Sequence, residues 1–73
     1  MDYIQKMIDT RQDADETQRE LAKAIDFHHV QIANYERQQN EPPIRYLIAF
    51  CKHYGVSADY ILGLPKGLNW PKH

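Results

Sequence analysis

The first 41 residues contain neither glycine nor proline, so no strong helix breaker interrupts them. They also lack the alternation of apolar and polar residues that predicts strands. Apolar residues recur at helical spacing instead, and the length of 73 residues suits one domain. Helices packed on helices around one small core are therefore the predicted architecture.

Three helices are predicted in this stretch. The inward positions of the first, which ends near residue 13, recur at i, i+3, i+4 and i+7: Ile4, Met7, Ile8 and Arg11. Thr17 is expected to cap the second helix, and Glu20 completes a capping box. That helix has three residues on its inward face: Leu21, Ala22 and Ile25. A third helix is predicted from about His28 to Glu36, with Ile32 and Tyr35 facing inward.

Two further helices are predicted in the second half. Pro43 suits the first turn of the fourth, and Gly55 its end. Its expected core stripe, flanked by Ile48 and Phe50, consists of Ile44, Leu47, Cys51 and Tyr54. Ser57 is expected to cap a fifth helix that Gly63 ends. The prediction is an all-α, compact five-helix bundle over residues 1–64, followed by an irregular tail over 65–73.

Composition makes most other protein classes improbable. A single cysteine, Cys51, excludes an internal disulfide and fits a reducing, cytoplasmic compartment. No apolar run approaches the roughly 18 residues that a membrane span requires. So small a core leaves little room for a large cofactor, and we expect neither a cofactor nor an enzyme. On the expected core stripe, Cys51 is a buried thiol rather than a nucleophile.

A metal site is not expected, although the chain contains four histidines. His28 and His29 are adjacent, so on a helix their side chains would diverge by about 100°. His53 and Cys51 are two residues apart and would also lie on different faces. No Cys-x-x-Cys pair is present to supply a structural zinc site.

Charge is distributed unevenly along the chain. Residues 1–41 carry nine acidic and five basic side chains, including an early acidic cluster at Asp2, Asp9, Asp13, Asp15 and Glu16. Between Phe27 and Tyr35 there is no acid at all. A polyanionic partner would have to avoid the acidic face and approach the acid-free segment.

The segment from Thr17 to Arg37 carries the functional signal. It contains two short amphipathic helices joined by about three residues, which is the helix-turn-helix pattern. The small residue Ala22 falls where the two helices cross, and Ile32 falls where the second packs on the first.

At these residues the sequence resembles the phage-repressor and Cro type of helix-turn-helix, the xenobiotic-response-element family. The resemblance covers about residues 3–64 and rests on the order and spacing of Thr17-Gln18, Leu21-Ala22, Ile32, Tyr35-Glu36-Arg37, Pro42 and the run from Gly55 to Gly63. It implies a five-helix DNA-binding domain of a prokaryotic or phage transcription regulator, most often a repressor. It also implies a buried, structural ion pair between Arg11 and Glu36.

The chain departs from the family pattern at four places. Glu16 stands where an apolar core residue is usual. Asp26 and Gln38 stand where the family has glycine, in the turn and after the recognition helix. His28-His29 stand where serine, threonine or arginine is common. The first three departures concern stability, and the fourth concerns DNA affinity.

If the third helix enters the major groove, its outward side meets base edges. That side consists of His28, His29, Gln31 and Asn34, with Val30 near its edge. Glutamine and asparagine can each bond adenine through two atoms, and Val30 could meet a thymine methyl group. Gln18 matches a family position that bonds phosphate. The other expected phosphate contacts are Thr17, Arg19, Arg37 and Gln38, with Lys23 nearby.

The expected partner is double-stranded DNA with a pseudo-palindromic operator, bound by a homodimer, because one domain of this size buries too little surface for tight binding. The fifth helix near Tyr60 and the stretch from Leu64 to Trp70 are candidate dimer surfaces, and Trp70 could equally pack on its own domain. A second function stays open. The acidic N-terminal half and Trp70 are also compatible with a protein-binding module, such as an antitoxin or adaptor, on the same fold.

Overall fold

The computed structural model describes residues 3–65, and within that range the chain forms five helices and no strand. They are α1 (Tyr3–Asp13), α2 (Gln18–Ile25), α3 (His29–Glu36), α4 (Ile44–Tyr54) and α5 (Ala58–Leu62). The predicted all-α, five-helix architecture is confirmed. The early acid Asp2 and residues 66–73 of the tail, which include Trp70, lie outside the described residues.

Local sequence signals set the ends of these helices. Thr17 caps α2 in a complete capping box with Glu20, and the Ser57 hydroxyl accepts a hydrogen bond from the backbone of Tyr60 at the start of α5. Gly55 ends α4 in the left-handed conformation, with φ of 67°. The predicted N-caps and this C-cap are confirmed.

Two non-glycine residues adopt the left-handed conformation where the family pattern has glycine. Asp26 ends α2 with φ of 61°, and Gln38 follows α3 with φ of 61°. Aspartate tolerates this conformation better than most residues because its short side chain bonds locally. The turn that joins α2 to α3 therefore keeps its geometry without glycine.

The core takes residues from all five helices, and it joins α1 and α5 to the helix-turn-helix. Its buried apolar members are Ile4, Met7, Leu21, Ala22, Ile32, Tyr35, Tyr46, Phe50 and Ile61. Ala22 is buried in α2 and Ile32 in α3, as the pattern predicts. No helix in the part of the chain that the structure describes is long and apolar enough to cross a membrane.

The expected core stripe of α4 is wrong. The helix buries Tyr46 and Phe50, whereas Ile44 at the start of the expected stripe is 70% exposed. The Tyr46 ring packs against Phe27 and Tyr35 at centroid distances of 5.3 and 4.8 Å. Aromatic rings bury more area than aliphatic side chains, so these contacts rotate the helix toward its aromatic side.

The rotation leaves the predicted stripe on the rim of the core. Leu47, Cys51 and Tyr54 are half-buried and pack against the core from one side, and Ile48 is 50% exposed. Cys51 is thus a partly buried thiol rather than a fully buried one, and burial raises its pKa.

Candidate nucleic-acid interface

The second helix of the helix-turn-helix, α3, has one buried and one outward side. Ile32 is fully buried and Tyr35 nearly so, and together they fix which side of α3 packs on the core. Of the predicted base-contacting residues, His28 and Gln31 are exposed, and His29 and Asn34 are half-buried. All four therefore lie on or beside the outward side of α3.

His28 lies just before α3 and caps it. Its Nδ1 accepts a hydrogen bond from the backbone N–H of Val30 at 3.2 Å. The amide oxygen of Gln31 accepts in return from the backbone N–H of His28 at 3.0 Å. A neutral imidazole whose Nδ1 accepts carries its proton on Nε2, so His28 presents an N–H donor. The sequence did not reveal this cap, because histidine is not among the usual N-cap residues.

The cap also overturns the expectation that His28 and His29 diverge. Because His28 has an extended backbone outside the helix, the two rings stack with centroids 4.8 Å apart and planes at 21°. Desolvation, followed by the positive charge of Arg19, lowers the pKa of His29. The charge of Arg19 thus acts at the start of α3, although this arginine belongs to α2.

Asn34 and Arg37 form a pair at the other end of the outward side. Arg37 Nη2 donates to Asn34 Oδ1 at 3.0 Å. This bond holds a residue predicted to read bases against one predicted to bind phosphate. The amide nitrogen of Asn34 is the hydrogen-bond donor of this side chain.

At the start of α2 the capping box brings an acid to the predicted phosphate site. The Glu20 carboxylate accepts from the backbone N–H of Thr17 at 2.8 Å. The Thr17 hydroxyl oxygen accepts from the backbone N–H of Glu20 at 3.1 Å. The exposed carboxylate stabilises the helix terminus, but it repels a phosphate that approaches there.

Gln18 is bonded to the structural ion pair that the resemblance implies. Arg11 makes two hydrogen bonds to the Glu36 carboxylate, from Nε at 2.8 Å and from Nη2 at 2.9 Å. Gln18 Nε2 donates to the same carboxylate at 2.8 Å. The side chains of Arg11 and Glu36 are only 10% and 9% exposed, so the pair is close to fully desolvated. The bond to Glu36 raises the pKa of Arg11.

This ion pair reaches the loop before α2 as well. Arg11 Nη1 donates to the backbone carbonyl of Glu16 at 2.7 Å. The three guanidinium nitrogens therefore tie α1 to the end of α3 and to the residue that precedes Thr17. Through Glu36 they also hold the side chain of Gln18 at the start of α2.

Glu16 stands where the family pattern has an apolar residue, and polar bonds connect its side chain to α4. Its carboxylate accepts from the Tyr54 hydroxyl at 2.8 Å and contacts His53 Nε2 at 2.9 Å. The bond to His53, then that to Tyr54, lowers the pKa of Glu16. Burial, and to a lesser extent the hydrogen bond to Glu16, raises the pKa of the Tyr54 hydroxyl. A polar link to α4 thus takes the place of an apolar contact.

One cation near the candidate interface was not predicted from the sequence. Arg45, exposed in the first turn of α4, lies over the ring of Phe27 at 4.7 Å from its centroid. Phe27 belongs to the turn that leads into α3, so the guanidinium lies beside the start of that helix. The sequence offered no signal for this contact, since 18 residues separate the two partners.

Within residues 3–65, no three histidine, cysteine, aspartate or glutamate side chains lie close enough to hold a metal ion. The stacked pair His28–His29 is an arrangement of two rings, one of which already caps a helix. What the surface offers is a set of amide and imidazole donors with arginines around it.

Two short helices joined by a turn, a buried Ala22 on α2, and a buried inner and polar outer side of α3 define a helix-turn-helix domain. The sequence profile of the helix-turn-helix family matches residues 9–61, which is most of the chain. The chain belongs to this family.

Two relatives from Bacillus subtilis (strain 168) are similar over most of the chain. One is the HTH-type transcriptional regulator ImmR, 34% identical over 63 residues that cover 86% of this chain and 50% of that protein. Another is an uncharacterized HTH-type transcriptional regulator, YobD, 34% identical over 62 residues that cover 85% of this chain and 55% of that protein. The chain thus spans about half the length of these relatives. No solved structure matches it significantly.

Proposed function

We propose that this chain is a sequence-specific DNA-binding domain of a transcription regulator, with α3 in the major groove. The observation that carries the proposal is the two-sidedness of α3. Ile32 and Tyr35 bury its inner side, and its outer side bears only uncharged polar and apolar residues, free of acids between Phe27 and Tyr35. A groove lined by phosphates and base edges is the partner that such a side fits.

Base edges are assigned to His28, His29, Gln31 and Asn34. The His28 Nε2–H, the Gln31 amide nitrogen and the Asn34 amide nitrogen are donors, because the opposite atom of each side chain already accepts a bond within the protein. Donors suit the N7 and O6 acceptors of guanine and the N7 of adenine. Val30, 48% exposed, suits a thymine methyl group.

Phosphates are assigned to residues around this helix. Arg19 and Arg37 are exposed cations beside its start and its end, and Arg45 is a third, held on Phe27. The second amide hydrogen of Gln18 and the hydroxyl of Thr17 are further donors at the start of α2. Gln38 and Lys23 complete the set. So few cations give a shallow dependence on salt, about 0.9 in the logarithmic slope per phosphate contacted.

Assembly and regulation follow from the same proposal. A homodimer on a pseudo-palindromic operator doubles the contact area of one domain. Repression then results when the dimer occupies a promoter. A DNA partner places the protein in the cytoplasm, where its single free cysteine stays reduced. ImmR and YobD are named as transcriptional regulators, which supports the same assignment.

The experiment is a binding titration by fluorescence anisotropy, after selection of a preferred site from random duplexes. His29→Ala and Asn34→Ala should weaken binding to the selected site several-fold more than binding to random DNA, because base contacts carry specificity. Arg19→Ala should weaken both equally and reduce the salt slope by about 0.9.

Lys6→Ala is the matched control, because it also removes one cation. The Lys6 ammonium donates to the backbone carbonyl of Tyr60, on the α5 side of the domain, and should leave the salt slope unchanged. A folded protein that binds no duplex at tens of micromolar would overturn the proposal. A protein-binding module on the same fold would then be the function to pursue.

A further inference from the structure

The outward side of α3 carries two amide side chains whose oxygens are already bonded within the protein. The Gln31 oxygen accepts from the backbone N–H of His28 at 3.0 Å, and the Asn34 oxygen accepts from Arg37 Nη2 at 3.0 Å. A backbone N–H and a guanidinium can only donate, so the atom that meets each of them is the amide oxygen and not the nitrogen. In both side chains the nitrogen is therefore the group that is left for a ligand.

His28 has the same polarity at the start of the helix. Its Nδ1 accepts from the backbone N–H of Val30 at 3.2 Å, so the neutral ring carries its proton on Nε2. No acid stands between Phe27 and Tyr35. Carboxylates are the side chains that accept a hydrogen bond from the N4 amino group of cytosine. This side of α3 thus presents three donor groups and no carboxylate acceptor.

The bases differ in what they offer to such donors in the major groove. Guanine presents two acceptors, N7 and O6, whereas adenine presents the acceptor N7 beside the donor N6, and cytosine presents only the donor N4. An amide reads adenine when its nitrogen and its oxygen both face the base. Here each oxygen would have to leave or share its partner in the protein, and one such hydrogen bond contributes roughly a factor of five to an equilibrium constant. Guanine requires donors alone.

We infer that Gln31 and Asn34 select guanine rather than adenine, because their bonds to His28 and Arg37 hold the amide oxygens. The inference rests on the proposed function and deepens it, since it names the bases that α3 reads in the major groove. It differs from the bidentate pairing with adenine that the two residue types predict from the sequence. The Nε2–H of His28 adds a third donor at the N-terminal end of the helix.

The spacing of the two amides sets the spacing of the guanines. Gln31 and Asn34 are three positions apart, so they are neighbours along the same side of the helix, with a rise of about 4.5 Å between them. Base pairs follow one another every 3.4 Å or so, roughly the same step. The two amides therefore reach neighbouring base pairs, and both of these are G·C pairs in the preferred site.

The first test uses modified bases in the preferred site of the complete chain, selected from random duplexes. The positions that Gln31 and Asn34 contact are those at which substitution by alanine abolishes the preference. Replacing guanine by adenine there should weaken binding roughly five- to tenfold. 7-Deazaguanine, which lacks the N7 acceptor, should weaken it as well. Inosine is the matched control, because it changes only the minor-groove edge of guanine, and it should bind as guanine does.

The second test changes the outward atom and keeps the internal bond. In Gln31→Glu the carboxylate still completes the capping box, and in Asn34→Asp it still accepts from Arg37. Each variant replaces the outward nitrogen by an acceptor oxygen, so the preferred base at its position should change from guanine to cytosine. Gln12→Glu is the control for the added charge, at an exposed position of α1, and it should leave the selected sequence unchanged. Circular dichroism checks that all three variants fold.

The third test removes an internal bond and keeps the outward residue. Arg37→Met releases the oxygen of Asn34, so the ratio of guanine to adenine affinity at that position should fall several-fold. Affinity for every duplex should fall too, because a cation is lost, and the ratio is therefore the informative measurement. Arg19→Met also removes a cation, but Arg19 belongs to α2 and is not the partner of Asn34. It should lower affinity and leave the ratio unchanged.

Two results would overturn the inference and leave the DNA-binding function standing. One is any base other than guanine at the positions that Gln31 and Asn34 contact in the unaltered protein. The other is a guanine-to-adenine ratio in Arg37→Met equal to that of the parent. A folded chain that binds no duplex would overturn the proposed function and the inference together, so the two kinds of failure are distinguishable.

Discussion

The two ends of α3 are held in different ways. At its C-terminal end, Glu36 receives hydrogen bonds from Arg11 and Gln18, residues 25 and 18 positions away in the chain. At its N-terminal end, His28 and Gln31 cap the helix through bonds two and three positions apart. One end is buried and depends on tertiary contacts, and the other is exposed and depends on neighbours in sequence.

This difference separates the end that holds α3 on the domain from the end where most of the base contacts are proposed. The buried end can fix the position of α3 on the domain, because breaking a desolvated ion pair is expensive. The exposed end can vary in sequence, because a local cap contributes only about 1 kcal/mol. The histidines, where the family often has serine, threonine or arginine, lie at the exposed end.

The largest expected effect is at the buried end. Glu36→Gln should destabilise the domain by about 3 kcal/mol, since it leaves the Arg11 guanidinium buried without a counter-charge. For a domain this small, that is a large part of the total stability. Urea unfolding followed by circular dichroism measures the loss.

Glu20→Gln is the matched control, because it makes the same chemical change at an exposed glutamate. Glutamine also completes a capping box, so this variant should unfold within about 0.5 kcal/mol of the parent. Equal destabilisation of the two variants would show that the burial of the Glu36 carboxylate adds nothing to its contribution to stability.

The next effect concerns the exposed end. Arg45→Ala should weaken binding to any duplex several-fold and reduce the salt slope by about 0.9, because it removes one phosphate contact beside the start of α3. Anisotropy at several salt concentrations measures both. Lys52→Ala, an exposed cation in the last turn of α4, is the control from the same helix. An unchanged slope in Arg45→Ala would remove this arginine from the interface.

A smaller effect of opposite sign is expected from Glu20→Gln on DNA. The variant keeps the capping box but removes a negative charge from the start of α2, where phosphate is predicted to approach. Affinity for random duplexes at low salt should rise a few-fold, and the gain should shrink as salt screens the charge. An affinity equal to that of the parent would place the phosphates away from this helix terminus.

The smallest effect depends on pH. The pKa of Glu16 is lowered below its ordinary value of 4.5 through its bonds to His53 and Tyr54. Its contribution to stability is therefore complete above about pH 4.5 and is lost as the pH falls through the lowered pKa. Because the pair is partly exposed, the loss should stay below about 1 kcal/mol. Urea unfolding of the parent and of Glu16→Gln, from pH 7 downward, should converge at acidic pH.

Much of the scaffold could be read from the sequence because its signals are local. The capping box at Thr17, the glycine at Gly55 and the apolar spacing of α1 each depend on residues within one or two turns. The inward residues of α3, Ile32 and Tyr35, were also predicted from spacing alone. The resemblance pointed to Arg11 and Glu36, which spacing could not have paired.

The predictions that the structure changed involve packing between distant elements. Periodicity showed an apolar stripe on α4, but the side that contacts the core was decided by the packing of Tyr46 against two aromatic rings from other elements, Phe27 and Tyr35. Likewise, adjacency suggested that His28 and His29 diverge, and only the extended backbone of the cap brought their rings together. Arg45 lies beside the start of α3 because it packs on Phe27, a contact that no motif encodes.

The sequence by itself determined the number of helices, most of their ends and the inner side of α3. Hydrogen bonds and apolar contacts within a few residues decide these features, and such contacts are visible in spacing. Tertiary structure decided which side of α4 faces the core, how the Glu36 carboxylate is shared and which cations lie beside α3. Those outcomes depend on competition for the same buried volume and the same acceptor atoms, and that competition takes place only once the helices are packed together.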